Sequence, residues 1–357
     1  MESIKHPFPW LELVEHPAFC VQNGVIVAAN STAKNQMISV GTDIYELVKQ
    51  NRAAYDTFKN GSLYLTITIG DLPYDTSITR TSEYDIFVIT RSEEDSQLQA
   101  LALAAQKLRI PLSNMMTVTD RLLSNLDQDN SETQQMSGQI NRSLFQLLRI
   151  VSNMSDANSY KKSATIGMQN VNLTALFDEI IDKIQTVSAY TNKNLSYTGP
   201  DCPVIGLAND EKLGRAVYNL IANALKFSPT GSTVDAKLTQ HENKLIFTVR
   251  NSNPEPIDDY AFWTRYNREP AIEDERFGLG LGMSLISSAA CTHGGTVLVD
   301  HPTPAETRVT MTIPIVKKDI SDVRSPVLKI GDYAGGRDKG LLELAELLPT
   351  DSYHKIN

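Results

Sequence analysis

Three polar residues follow one another at helical spacing in the stretch Asn219-Leu-Ile-Ala-Asn223-Ala-Leu-Lys226. Apolar residues recur around them at three- and four-residue steps, so the stretch predicts a helix with one buried face. On that helix Asn219, Asn223 and Lys226 stand in a line along one side. Carboxamide oxygens suit Mg²⁺ and an ammonium group suits phosphate, which together would hold a magnesium nucleotide. The solvated edge of an amphipathic helix explains the same pattern equally well.

A glycine cluster lies further along the chain, in Phe277-Gly-Leu-Gly-Leu-Gly-Met-Ser-Leu-Ile286, where an apolar helical pattern begins. Gly278, Gly280 and Gly282 would let backbone N–H groups approach phosphate oxygens, and a helix N-terminus adds a favourable dipole. Alone, such a cluster more often reflects tight packing.

Taken together, these two stretches resemble the nucleotide-binding boxes of the histidine-kinase-type ATPase domain, a fold shared with the gyrase and Hsp90 families. The resemblance implies an α/β sandwich over residues 168–316 that binds ATP with Mg²⁺. Within it the sequence predicts a helix that begins at Val171, strands at residues 194–197 and 204–207, a hairpin at residues 232–238 and 244–250, and closing strands at residues 296–299 and 308–314. The resemblance assigns the metal to Asn223 and a phosphate contact to Lys226. The further ATP-binding residues that it implies are Asn219, Gly278, Gly280 and Gly282.

The adenine-binding loop departs from the family pattern. Where the family has Asp-x-Gly-x-Gly, this chain has Asn251-Ser-Asn-Pro-Glu-Pro-Ile257. The Asn251 side-chain oxygen can still accept a hydrogen bond from the adenine amino group, without charge assistance. Arg268 falls in a stretch, residues 262–268, that matches the aromatic and arginine spacing of the family's lid and adds an ATP contact. A packed aromatic cluster accounts for the same aromatic residues.

Residues 93–160 carry apolar residues seven apart in two series offset by three, as at the a and d positions of a coiled coil. A turn before Ser131 and a further apolar series predict a two-helix hairpin. One hairpin cannot cover its own apolar stripe, so we expect a homodimer in which two hairpins form a four-helix bundle. The two series are Leu98, Ala105, Leu112, Thr119 and Leu126, and Leu101, Leu108, Met115 and Leu122.

The first helix of this hairpin resembles the dimerisation and phosphotransfer domain of sensor histidine kinases. The family motif is Ser-His-Glu-Leu-Arg-Thr-Pro-Leu, and residues 105–112 read Ala-Gln-Lys-Leu-Arg-Ile-Pro-Leu. Gln106 stands at the position of the phosphoacceptor histidine, and Lys107 replaces the acid beside it. An amide nitrogen is not a nucleophile comparable to imidazole, so Gln106 cannot form a phosphoramidate.

The N-terminal part of the sequence predicts a sensor domain, and the C-terminal part predicts a tail. Residues 1–92 suggest a small α+β unit, with a hairpin at Asn23-Gly24, short helices of which Asn30 caps the first, and three further strands. This order looks like a PAS sensor domain, whose small-molecule ligand the sequence does not identify. Residues 317–357 are a charged tail with a short amphipathic helix at Gly340–Leu348, either a docking element or a solvated cap.

The composition of the chain bears on its binding partners and on its cellular compartment. The net charge of -9 argues against non-specific nucleic-acid binding, which needs a basic face. No apolar run approaches the length of a membrane span, and the start is not a secretory signal. Three widely spaced cysteines fit a reducing compartment, so we expect a cytoplasmic protein.

The sequence as a whole therefore predicts an α+β multidomain protein that resembles a sensor histidine kinase of two-component signalling. The predicted partners are a second copy, a response regulator or an intact histidine kinase. Whether the chain is an enzyme stays open because the acceptor histidine is missing. The alternatives are a non-catalytic ATP-binding regulator and a response-regulator phosphatase.

Overall fold

The computed structural model describes residues 8–14, 16–70, 72–89, 95–124, 131–159, 167–253, 281–316, 342–345 and 347–348. These residues form an α+β protein with one ten-stranded sheet, one two-stranded sheet and a pair of long helices. The mixed α+β class is as predicted.

The N-terminal unit, residues 8–89, is an antiparallel five-stranded sheet with short helices on one face. Asn23 and Gly24 both have positive φ, as the predicted hairpin turn requires. Asn30 caps the first helix as predicted, because its Oδ1 accepts a hydrogen bond from the N–H of Ala33 at 2.8 Å. The elements are β1 (Ala18–Gln22), β2 (Val25–Ala29), α1 (Ser31–Asn35), α2 (Arg52–Thr57), β3 (Gly61–Ile69), β4 (Leu72–Arg80) and β5 (Asp85–Ile89), and the strand order is β2-β1-β5-β4-β3.

The two long helices are α3 (Asp95–Ser124) and α4 (Ser131–Ser159), which pack along each other. The two predicted apolar series differ in burial. Ala105 and Leu112 are buried within the chain, whereas Leu108, Met115 and Leu122 are exposed. One series therefore closes the hairpin, and the other stays on its surface.

The C-terminal unit begins with a strand that the sequence did not predict. Val171 lies in β6, and the helix that we expected to start there begins two residues later, at Leu173. The order of the other predicted strands and helices is confirmed. The elements are β6 (Gln169–Asn172), α5 (Leu173–Ser188), β7 (Asn194–Thr198), β8 (Ile205–Ala208), α6 (Asp210–Phe227), β9 (Thr233–His241), β10 (Lys244–Ser252), α7 (Leu281–Thr292), β11 (Thr296–Asp300) and β12 (Glu306–Pro314).

The N-terminal and C-terminal units share one sheet. Strand β3 pairs antiparallel with β11, with Leu63 opposite Leu298, so the order runs β2-β1-β5-β4-β3-β11-β12-β10-β9-β7. At the start of β3, Gly61 has a φ of +87°, and a Cβ there would lie 3.1 Å from the Cα of Asp300 and closer still to the carbonyl oxygen of Val299. The junction thus depends on a position where a side chain does not fit.

A single apolar core runs through the C-terminal unit and into the helical hairpin. The short segment at residues 342–348 belongs to this core, and Leu342, Leu344 and Leu348 are fully buried in it. The solvated-cap alternative for this part of the tail is therefore wrong. Among the residues that the structure describes, no helix has both the length and the apolar character of a membrane span.

Candidate functional site

Helix α6 carries the predicted polar line. The Asn209 side chain caps its start by accepting the N–H of Lys212 at 2.9 Å, and two acids follow in the first turn, where the helix dipole favours them. Asn219 is buried, and its Nδ2 donates to the carbonyl oxygen of Arg215 at 3.0 Å. This hydrogen bond fixes the orientation of the Asn219 carboxamide. Its Nδ2 faces the Arg215 carbonyl oxygen, and its Oδ1 faces away from it.

Asn223 stands one turn beyond Asn219 and is half-buried. Helix α7 packs on it through Gly282, where a Cβ would lie 3.2 Å from Asn223 Nδ2 and 3.7 Å from both Asn223 Oδ1 and Asn219 Oδ1. Within the described ranges, the Asn223 carboxamide forms no hydrogen bond. Gly282, the last glycine of the cluster, therefore lies beside Asn219 and Asn223. The Asn223 Oδ1 atom, an oxygen of the type that binds metal ions, remains available as a ligand.

Lys226 follows on the same helix and is half-buried. A second lysine, Lys193, donates its Nζ to the carbonyl oxygen of Leu225 at 2.6 Å, and partial burial lowers the Lys193 pKa. This contact places a cation at the helix C-terminus, where the dipole favours it. Lys193 thus caps the C-terminus of α6, a role that the residues next to it in the sequence did not indicate.

Asn251 lies near the end of β10, on the same face of the strand as the buried residues Phe247 and Val249. Helix α6 covers that face. Asn251 donates Nδ2 to the oxygens of Ser252 at 3.2 Å and Asn253 at 3.3 Å. In the part of the chain that the structure describes, nothing donates to its Oδ1, so the oxygen keeps the acceptor role that the sequence predicts.

The loop that leaves β10 is fixed where it begins. Asn253 accepts a hydrogen bond from the Thr307 hydroxyl at 3.1 Å, and its N–H donates to the Ala305 carbonyl oxygen at 2.8 Å. Beyond it, residues 254–280 lie outside the described residues, and with them Arg268, Gly278 and Gly280.

His293 joins the two helices of the candidate site at the ends opposite to Asn223 and Gly282, and sequence reasoning missed this contact. Its buried ring accepts the N–H of Asn209 at Nε2, 3.0 Å away, and its Nδ1 bonds the Ala289 carbonyl oxygen at 2.7 Å. Burial is the main reason that its pKa falls below the ordinary 6.5, and Lys212 lowers it further. The neutral ring thus joins the end of α7 to the start of α6, a long-range bond that no local motif signals.

Gln106 and Lys107 lie on α3, a different element from the α6–α7 pair, and Lys107 is exposed. Of the predicted site residues, the structure brings together Asn219, Asn223 and Gly282 and places Lys226 on the same helix. Asn251 lies on the strand that α6 covers.

This arrangement agrees with comparisons to known proteins. The family described as "Histidine kinase-, DNA gyrase B-, and HSP90-like ATPase" matches residues 208–317, a range that includes α6, the glycine cluster and α7. Hybrid signal transduction histidine kinase D of Dictyostelium discoideum is 25% identical over 64% of this chain and 16% of its own length. Sensor histidine kinase CusS of Escherichia coli K12 is 25% identical over 59% of this chain and 44% of its own length.

The chain therefore spans less than half the length of these two relatives. Among solved structures, full-length ShkA in complex with AMPPNP shares the fold, with a TM-score of 0.50 at 18% identity over 62% of this chain and 46% of that one. Residues 208–317 form an ATPase domain of the histidine kinase, gyrase B and HSP90 type. Over the matched residues, the chain is therefore similar to proteins named as histidine kinases.

Proposed function

We propose that this chain is a two-component signalling protein that binds Mg²⁺-ATP in its ATPase domain and lacks a phosphoacceptor on its own hairpin. The observation that carries the proposal is the contact of Gly282 with Asn219 and Asn223. A glycine-rich helix start laid against two carboxamides suits a phosphate chain and its metal, and the family match covers both elements.

The residues present fit Mg²⁺. Asn223 offers a half-buried carboxamide oxygen beside a glycine whose missing side chain leaves room, and oxygen is the ligand that this cation takes. Lys226 lies one turn further along α6, where its ammonium group would contact phosphate. Asn251 would accept the adenine amino hydrogen. Bound ATP with Mg²⁺ supplies a transferable γ-phosphoryl group, and these residues hold and orient it.

A phosphoryl acceptor must come from elsewhere, because Gln106 provides no nucleophile. We therefore assign the chain a response regulator or an intact histidine kinase as partner, since either would supply the missing acceptor of a two-component system. A non-catalytic regulator that binds ATP is the second candidate, and Gln106 beside the exposed Lys107 is the observation that favours it. The same glutamine would orient a water in a response-regulator phosphatase.

The N-terminal sheet supports a sensor role. Its helices cover one face, and an open cavity of about 310 Å³ lies beside it, lined by both aromatic and charged side chains such as Tyr45, Tyr55 and Arg80. We assign this unit the PAS-type sensor function that the element order predicts, for an unidentified small molecule.

Titration calorimetry with Mg²⁺-ATP tests the nucleotide site. The intact chain should bind, and Asn223→Ala should weaken binding at least about tenfold, since a metal ligand is lost. Asn243→Ala, an exposed residue at the β9–β10 turn, is the matched control and should bind as the wild type does. Absence of binding to the wild type at millimolar ATP would show that the domain is only a scaffold.

A further inference from the structure

The C-terminal segment, residues 342–348, lies in the core of the molecule. Its Leu342, Leu344, Ala345 and Leu348 are at most 1% exposed. Their apolar cluster also contains Leu148 and Val151 of α4 and Leu213 and Val217 of α6. The segment is wound as a helical turn, in which the N–H of Leu348 donates to the Leu344 carbonyl oxygen at 3.2 Å.

A buried carboxylate lies within this apolar segment. Glu343 is 1% exposed, and its side chain lies 3.5 Å from Arg149 of α4 and 3.7 Å from Arg215 of α6, both of which are buried as well. Charges are held out of water only where opposite charges meet them. Glu343 therefore neutralises charge contributed by two separate parts of the chain, the helical hairpin and the ATPase domain.

The surface that receives the segment has a definite chemical character. It carries two buried guanidinium groups, one from each helix, and it belongs to the same apolar core as the segment. A short leucine-rich helical turn that carries one acid complements it, and residues 342–348 are such a turn. The residues between β12 and this segment, 317–341, lie outside the described ranges and connect it covalently to the ATPase domain.

We propose that this contact is a clasp: the C-terminal segment docks between α4 and α6 and holds the ATPase domain against the helical hairpin. The clasp is linked to the candidate nucleotide site through Arg215. The Arg215 side chain pairs with Glu343, and its carbonyl oxygen accepts a hydrogen bond from Asn219 Nδ2. Release of the segment frees the ATPase domain to move relative to the hairpin. This role does not depend on whether the site binds ATP.

The test compares the full chain with its Glu343→Gln variant at equal concentration, without nucleotide. The variant keeps the shape of the side chain but removes the negative charge that lies between the two buried arginines. Amide hydrogen exchange in residues 342–348 should become at least about tenfold faster, since loss of one member of a buried charge cluster is strongly destabilising. Small-angle scattering should show a larger radius of gyration.

Two controls fix the interpretation. Glu242→Gln, at an exposed turn between β9 and β10, should change neither measurement. The triple variant Arg149→Met, Arg215→Met, Glu343→Met removes the three charges together and replaces them with apolar side chains, and it should recover the wild-type exchange and dimensions more closely than Glu343→Gln does.

Either of two results overturns the clasp: unchanged exchange in the Glu343→Gln segment, or faster exchange with unchanged dimensions. If Glu343→Gln unfolds the whole chain, as exchange in the N-terminal strands would show, Leu348→Ala decides by the same two measurements. It keeps all three charges and removes only apolar contact, so the clasp predicts faster exchange in the segment and larger dimensions. Wild-type values for Leu348→Ala then overturn the proposal.

Discussion

At the scale of single residues, the nucleotide site and the phosphoacceptor position differ in how much of the expected chemistry they keep. Asn219, Asn223 and Gly282 lie together, so the proposed phosphate-binding part of the site has side chains that suit this chemistry. In the resemblance to the family, Gln106 and Lys107 replace both the nucleophile and the acid beside it. Departures from the family pattern thus fall at the proposed acceptor position and in the proposed adenine loop at Asn251, whereas the proposed phosphate-binding side keeps its asparagines and glycine.

The first prediction follows from this difference. Incubated with γ-labelled ATP, the wild-type chain should form no acid-labile phosphohistidine on its hairpin. Gln106→His together with Lys107→Glu rebuilds both the acceptor and the proton-accepting acid, and this double variant should become labelled. Gln106→His alone should gain little, because Lys107 lowers the basicity of the new imidazole.

Acid-stable and acid-labile phosphate are separated by acid treatment and mass spectrometry. Robust acid-labile label on the hairpin of the wild type would contradict the prediction. An unlabelled double variant that still binds ATP would show that the lid and adenine loop have also lost catalytic geometry.

The second prediction concerns His293, whose pKa is lower in the folded chain than in the unfolded one. Between those two values the unfolded chain binds more protons, so stability falls as the pH falls. The contribution of His293 is complete above about pH 6.5 and is lost as the pH drops from there toward the lowered pKa. His293→Gln keeps an acceptor for Asn209 and a donor for Ala289 without titrating.

Chemical denaturation of both proteins between pH 7.5 and pH 5 measures this effect. The wild type should lose more stability over the range than His293→Gln does, because only its ring gains a proton on unfolding. Parallel curves for the two proteins would mean that burial does not lower the pKa of the ring in the folded chain.

At the scale of elements, the junction between β3 and β11 makes a third prediction. Gly61→Ala places a Cβ against the Val299 carbonyl oxygen in a backbone conformation that disfavours it, and should cost about 2 kcal/mol or more. Gly41→Ala is the matched control: its φ of +92° imposes the same strain, but a Cβ there meets nothing within 4 Å, so it should cost only about 1 kcal/mol.

Denaturant unfolding compares the two glycine variants, and amide exchange in β3 and β11 locates the damage. The Gly61 variant should lose protection in both strands, whereas the Gly41 variant keeps it. Equal costs for the two substitutions would mean that the close approach at Val299 relaxes freely.

The sequence predicted the elements better than it predicted their partners. The hairpin at Asn23-Gly24 and the Asn30 cap rest on local backbone chemistry, and both are confirmed. The pairing of β3 with β11 joins residues that are far apart in sequence and share no pattern, so periodicity could not reveal it. The His293 bond to Asn209 was missed for the same reason.

At the scale of the whole molecule, contacts between distant parts of the chain join the three structural units. The sheet junction connects the N-terminal unit to β11, and the Cys291 thiol of α7 contacts Thr66 and Asp75 on β3 and β4. Helix α7 also carries Gly282 at its other end, against the asparagines of α6. A change in the N-terminal sheet therefore has a direct packed route to the candidate nucleotide site.

The last prediction is that two chains associate through the exposed apolar series of α3. Leu108, Met115 and Leu122 are 51%, 56% and 62% exposed at seven-residue spacing, which is the pattern of a face that a second hairpin covers. Leu108→Glu with Met115→Glu should raise the dimer dissociation constant by at least about a hundredfold, because burying these carboxylates together costs several kcal/mol.

Leu112 is unsuited to this test, since it is buried within its own chain and its loss would damage the hairpin. Sedimentation equilibrium measures the association, with Met37→Glu in the N-terminal unit as a still more exposed apolar control that should leave it unchanged. A Leu108/Met115 variant that remains dimeric would place the interface on another surface of the chain.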